Sequence, residues 1–310
     1  MEHIYDTIII GGGPAGLSAG LYAARSKMDT LIIERGEFGG QVATTDVLDN
    51  YPGSIENCTG VSLSKRMKQQ AEEFGTQFAR EEVIGVELEG DIKIIKCLKE
   101  TYKAKTIIIA TGAFPRLGGF KNELELRGKG ISYCATCDAD FFEDLDIVVL
   151  GGGDSAISEA IYLAKFGETV TVVHRRGELR ASKSLQEKVF NNPKIKFVWD
   201  TVVVEAKGTE ILESLVVKNV KTGQVSDLKA DGCFVFVGYL PISELFKGKI
   251  TMTDRGDVIT DEEMRTNIPG VYAVGDIREK LLRQVITAAA DGAIAATHAE
   301  HYIESELSRL

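Results

Sequence analysis

Apolar residues recur along this chain in two rhythms. Near-continuous apolar runs at Thr7–Ile10, Thr30–Ile33, Thr106–Ala110, Ile147–Leu150, Thr169–Val173, Cys233–Val237 and Val271–Val274 each stop at a glycine, a charged residue or a turn. Runs of four or five without alternation predict buried strands. The helical rhythm appears at Leu17–Arg25 and again from Gly60, where Leu63, Met67, Ala71 and Phe74 follow at spacings of four, four and three. With Lys65, Lys68, Gln69 and Glu72 between them, these four predict a core-facing stripe. Val83–Leu88 and Ile92–Cys97 alternate around Gly90-Asp91, a hairpin pattern. Ile195–Val204 and Ile211–Val220 predict two further strands parted at Gly208, and an alanine-rich helix opens at Arg283-Gln284-Val285 and runs to about Ile303.

The first run feeds Gly11-Gly12-Gly13-Pro14-Ala15-Gly16 and then a helix. That order turns backbone N–H groups toward a pyrophosphate with no side chain in the way. The next strand ends on Glu34, an acid placed to receive ribose hydroxyls. The plan returns at a fixed offset of 140: Gly11 becomes Gly151, Gly13 becomes Gly153, Gly16 becomes Ala156 and Glu34 becomes His174, with Asp154 and Ser155 inside the second turn. Two nucleotide-binding units on one plan follow. In the second, the acid gives way to His174-Arg175-Arg176, with Arg180 one helical turn on. Arginines hold a 2′-phosphate that an acid would repel, so this unit should prefer NADPH; the plain alternative is a solvated basic turn. Residues 243–310 have no glycine turn of their own. The expectation is an α/β chain of two Rossmann-like domains, the second (114–242) inserted into the first (1–113 and 243–310), with crossings near Pro115 and Pro241.

At 310 residues, 44% hydrophobic and 26% charged, the chain has room for two cores. A formal charge of −10 argues against nucleic acid or an anionic membrane surface as partner. No basic segment precedes the first apolar run, which is broken at Gly11–Pro14, so neither a signal peptide nor a membrane span is expected. Five cysteines are too few for a secreted disulfide scaffold, and the cytoplasm is the expected compartment.

Two of them form Cys134-Ala135-Thr136-Cys137-Asp138, just ahead of the strand leading into Gly151. Thiols at this spacing can close and reopen a disulfide, and a nucleotide turn beside them suggests that a carried hydride supplies the electrons. The alternative, half of a structural zinc site, needs a second ligand pair; Cys58, Cys97 and Cys233 stand singly, and only His298 and His301 lie close together. Gln41 and Asn50 could reach a flavin ring or simply serve as turn residues. Asp276, after Gly275, could hold a flavin's sugar-like chain or end a strand, and the helix start near Gln284 could face the ring's pyrimidine edge.

With GGGPAG at Gly11, CATCD at Cys134, GGGDSA at Gly151, HRR at His174 and GD at Asp276, the sequence resembles the low-molecular-weight bacterial type of thioredoxin reductase over essentially its whole length. CATCD directly ahead of the second glycine turn is the specific part; many flavoproteins share the rest. The resemblance implies a homodimer that passes electrons from NADPH through FAD and the Cys134/Cys137 pair to thioredoxin. It implies FAD on Gly11, Gly13, Pro14, Ala15, Gly16, Glu34, Gly40, Gln41, Asn50, Gly112, Asp276, Arg283, Gln284 and Val285. NADPH would lie on Gly151, Gly153, Asp154, Ser155, Ala156, His174, Arg175, Arg176 and Arg180. Cys137 would face the flavin, Cys134 would attack the partner, and Asp138 would manage thiol protons. Two positions depart from the pattern: Ala139 stands where relatives carry glycine, restricting the backbone beside the dithiol, and Ser158 where an acid is common. Rival readings are a ferredoxin-fed flavin enzyme, a reductase of a glutaredoxin-like or peroxidase partner, and a non-enzymatic redox sensor.

Overall fold

The structure, a computed structural model, describes residues 3–44, 48 and 50–305. β1 (Ile4–Ile10) is buried from Thr7 onward and leads through the glycines into α1 (Pro14–Arg25). Pro14 opens that helix, where its missing N–H would have had no partner anyway. β2 (Thr30–Glu34) runs parallel to β1 with Ile10 opposite Ile33. α2 (Gly60–Glu73) begins at a reciprocal cap, in which Ser62 N–H donates to Thr59 Oγ1 and Thr59 N–H to Ser62 Oγ, both at 3.0 Å. Leu63, Met67 and Ala71 are buried as the stripe predicts, but Phe74 is 45% exposed. The helix stops at Glu73 and the chain turns at Gly75, φ +103°, so the last stripe position leaves the core face. β3 (Gln77–Arg80) extends the sheet beyond β2; β4 (Val83–Glu87) and β5 (Lys93–Cys97) form the expected hairpin. β6 (Thr101–Ile109) is antiparallel to β5 and parallel to β1.

By its internal contacts the chain divides into Met1–Phe114 with Leu240–Leu310, and Pro115–Tyr239. It crosses on β7 (Ala113–Pro115). The second unit runs through β8 (Ile131–Ser132), α3 (Ala135–Asp138), β9 (Asp146–Leu150), α4 (Asp154–Leu163), β10 (Thr169–Val173), α5 (Lys183–Phe190), β11 (Ile195–Val198), β12 (Thr201–Lys207), β13 (Ser214–Asn219), β14 (Val225–Lys229) and β15 (Gly232–Val235). The chain returns on β16 (Tyr239–Pro241), paired with β7. Strands β11-β10-β9-β15-β8 make a parallel sheet, and β12-β13-β14 a separate antiparallel one. The single strand expected over Ile195–Val204 is therefore two strands in two sheets. Asp200, at φ +51°, turns the chain between them, a backbone that aspartate tolerates. The run expected from Ile211 begins at Ser214 and ends at Asn219.

Back in the first unit, β17 (Val271–Ala273) lies parallel to Ile107–Ile109 of β6, completing a seven-stranded sheet of order β3-β2-β1-β6-β5-β4 with β17 on β6. α6 (Val285–Ser305) packs on α1 through small residues: a Cβ at Gly292 would stand 2.1 Å from the Ala15 carbonyl oxygen. Ser18 Oγ donates to Ala289 O at 2.7 Å across the same contact. Among the described residues no helix is long and apolar enough to cross a membrane.

Candidate active site

In the first unit, β1 ends against Gly11, φ +114°, whose N–H donates to Ile33 O at 2.9 Å. The next N–H, of Gly12, donates to Glu34 Oε2, and that of Gly36 to Oε1, each at 2.8 Å. A carboxylate has about four lone-pair sites, so Glu34 can still receive hydroxyls. Gly13 caps α1 ahead of Pro14 and Ala15, and Gly16 packs so tightly that a Cβ would lie 1.9 Å from Gly11 O. Gly40, φ +60°, also passes close to the turn, where a Cβ would lie 3.1 Å from Gly13 Cα. Bare backbone thus lines this end of α1. Gln41 donates from Nε2 to the carbonyl of Ala113, next to Gly112, φ +72°.

The return segment brings the remaining first-unit candidates together. Asn50 Nδ2 donates to Gln284 Oε1 at 3.2 Å, directly ahead of Val285 and α6. Arg283 pairs with Asp257 at 2.9 Å. Asp276 Oδ1 is buried and has no hydrogen-bond partner among the described residues, and burial pushes this carboxyl up from its ordinary value. An unpaired buried acceptor is costly unless something donates to it. Its neighbour Gly275 donates N–H to Asp291 Oδ2 at 3.0 Å, an atom that Lys280 also reaches at 2.7 Å. A cavity of about 340 Å³ is lined by Arg35, Arg80, Glu81, Glu82, Leu98 and Lys99, well removed in sequence from the cysteines.

The second unit repeats the first turn. Gly151, φ +145°, donates N–H to Val173 O at 3.2 Å, the bond of Gly11 moved on by 140 positions. Gly153 caps α4, and Asp154 Oδ1 accepts the Ser182 N–H at 2.7 Å; Ser155 is exposed and Ala156 buried. His174 is 5% exposed, with its ring flush on Gly152, where a Cβ would come within 2.5 Å of it. Burial first, then Arg180, Arg176 and Arg175, hold its imidazole below the ordinary value. It forms a neutral wall, while the three arginines stand exposed beside it. Arg180 is not one helical turn on, for residues 174–181 form a bent loop without helix; its N–H donates to Gly152 O at 2.7 Å.

Cys134 and Cys137 are joined in a disulfide across 5.3 Å between Cα atoms. The sulfurs hold each other, so the pair is not presenting thiolates as half of a zinc site. Cys137 and Asp138 N–H both donate to Cys134 O at 3.3 Å, closing the α3 turn. Ser132 Oγ accepts Cys134 N–H at 3.1 Å and donates to Asp138 Oδ2 at 2.6 Å. Ala139 is buried at φ −57°, ψ −37°, ordinary helical backbone, so an alanine there imposes no strain on the dithiol. Ser158 is exposed on α4. The other cysteines are buried and unbridged; burial pushes Cys97 up to about 11 and Cys233 higher, which keeps both thiols inert.

Sequence reasoning passed over Ser132, the Lys280–Asp291 pair and Glu159, whose carboxyl on α4 is raised by burial. The one available signal was a serine two positions before the first cysteine.

The chain matches the family model described as pyridine nucleotide-disulphide oxidoreductase over residues 5–292. It is 57% identical to a thioredoxin reductase of Peptoclostridium acidaminophilum, covering 98% of this chain and 99% of that one. A thioredoxin reductase of Bacillus subtilis is 43% identical over 98% of this chain and 96% of its own. The crystal structure of thioredoxin reductase from Streptococcus pyogenes superposes with a TM-score of 0.91 at 46% identity, covering 98% and 100% of the two chains. A disulfide at Cys134–Cys137, ahead of the second of two repeated glycine turns, agrees with each of these likenesses, and the chain belongs to the pyridine nucleotide-disulphide oxidoreductases.

Proposed function

We propose that this chain is a thioredoxin-disulfide reductase, with FAD held by the first unit and NADPH by the second. The observation that carries the reading is the Cys134–Cys137 disulfide, set on the CATCD turn of a unit that also holds a nucleotide turn. The residues fit both groups. Asp276 Oδ1 is a buried acceptor suited to a hydroxyl of the flavin's chain, and the Gly11–Gly16 and Gly40 backbones leave a pyrophosphate room. Arg175, Arg176 and Arg180 offer forked donors for a 2′-phosphate. When bound, FAD supplies, from NADPH, the electron pair that opens the disulfide.

The protein's own residues do the rest. Two electrons and two protons convert the disulfide to two thiols. Asp138 takes the proton of the Cys134 thiol, and the resulting thiolate attacks one sulfur of thioredoxin's disulfide, forming a mixed disulfide and expelling a thiolate to which Asp138 returns the proton. The Cys137 thiol then gives up its proton through Asp138 and attacks the Cys134 sulfur as a thiolate, which restores the ring and expels the second thioredoxin thiolate, and that thiolate takes up the proton. Thioredoxin sits near about −270 mV and roughly 30 mV is worth about 1.4 kcal/mol in a two-electron step, so a donor as reducing as a nicotinamide is required.

Anaerobic mixing of Cys134→Ser with NADPH is expected to bleach the flavin, while turnover with thioredoxin is lost. Retained turnover would refute the relay. A protein that binds no FAD would refute the first-unit assignment.

A further inference from the structure

Ser132 takes no part in the steps above, yet its hydroxyl lies between the groups they use. It is 5% exposed at the end of β8. Its oxygen accepts Cys134 N–H at 3.1 Å, its proton goes to Asp138 Oδ2 at 2.6 Å, and the Cys134 carbonyl oxygen stands 3.4 Å away as an alternative acceptor. A hydroxyl has one donor and two acceptor sites. With Cys134 N–H on one lone pair, the other remains open to a proton on Asp138.

We propose that Ser132 is a positioning residue that holds Asp138 in both of its protonation states. Facing a carboxylate, Ser132 donates to Oδ2. Once Asp138 has taken up a proton, its own O–H donates to Ser132 Oγ, and the serine proton swings to the Cys134 carbonyl, which it shares with the long 3.3 Å bonds from Cys137 and Asp138 N–H. Neither state leaves a buried polar group without a partner, so Asp138 stays beside the dithiol throughout the exchange. The bond to the charged form is the stronger of the two. Ser132 thereby makes Asp138 a readier proton donor to the thiolate that leaves thioredoxin. This rests on the reading of Asp138 as proton carrier.

The test is the pH profile of exchange between the pre-reduced, FAD-loaded chain and thioredoxin, from about pH 5 to 9. In Ser132→Ala the alkaline limb is expected to move up by about one pH unit, because a hydrogen bond to the carboxylate is lost. Ser132→Thr, which keeps the hydroxyl, should restore the limb, and Asp138→Asn should abolish it. A Ser132→Ala limb that stays put or moves down, with the Asp138→Asn limb absent, overturns the serine's role and leaves that of Asp138 standing. An Asp138→Asn profile like wild type overturns both. An equal shift with a small aromatic disulfide, whose thiolate leaves without a proton, also overturns the proposal, since the change would then lie in the thiols themselves. If Ser132→Ala does not fold, the Ser132→Thr profile decides: an unmoved limb supports the proposal and a displaced one overturns it.

Discussion

Asn50 reaches Gln284 through a 3.2 Å hydrogen bond that joins positions 234 residues apart. The return segment stands close enough because β17 is laid on β6, which fixes where the chain enters α6. If the pair grips the flavin as a unit, Asn50→Ala and Gln284→Ala should each weaken FAD retention by about tenfold, roughly the worth of one hydrogen bond. The double variant should lose less than the two singles combined. Flavin release in equilibrium dialysis measures this, and additive losses would mean that the residues act apart.

Arg175 and Arg176 stand exposed beside the buried His174, at the register where the first unit carries Glu34. Charge-assisted bonds contribute about 1.5–3 kcal/mol each, so Arg175→Ala with Arg176→Ala, which removes two of them, should raise KM for NADPH by about 100-fold or more. KM for NADH, which has no 2′-phosphate, should change little. Equal effects on the two nucleotides would remove the phosphate assignment.

The two glycine turns also make opposite predictions for one methyl group. At Gly16 a Cβ would lie 1.9 Å from Gly11 O, in a turn pinned by the Gly11–Ile33 bond. Gly16→Ala should cost about 3 kcal/mol or more and show as a lowered Tm. At Gly153, φ −96°, a Cβ meets nothing within 4 Å. Gly153→Ala should keep the Tm nearly unchanged but raise KM for NADPH, because the methyl would project where bare backbone is needed. A Gly153→Ala enzyme with unaltered KM would place the phosphates elsewhere.

The parallel strands were legible because strands buried on both faces need unbroken apolar runs, as at Ile8–Ile10 and Val148–Leu150. The second turn was legible because its glycines stand 140 positions after those of the first. β14 escaped notice because nearly all of its side chains, Ser226 and Asp227 among them, face solvent and leave no periodic trace. The break at Asp200 is one residue's backbone angle, invisible to hydrophobicity. Ser132 and Asp291 matter through their hydrogen-bond partners, and common residue types do not announce partners.

Asp276 provides the sharpest separation of fold from function. Burial raises its carboxyl above the ordinary 3.8, with Lys280 and Arg283 pulling it down and Asp291 pushing it up. The folded chain therefore binds more protons than the unfolded chain in a window that starts near 3.8, and stability falls as pH rises through it. Above that window the burial of this carboxyl is a cost to the fold without flavin. Asp276→Asn keeps the shape and removes the charge. The flavin-free variant should thus melt a few degrees above flavin-free wild type at neutral pH, and the gap should close below about pH 4 as the wild-type carboxyl protonates. FAD affinity should move the other way, falling by about tenfold as a charge-assisted bond becomes a neutral one. Melts of both forms at two pH values, with and without FAD, check the sign of each change. A flavin-free variant no more stable than wild type would mean that the carboxylate is already satisfied, and the assignment of Asp276 to the flavin would lose its physical basis.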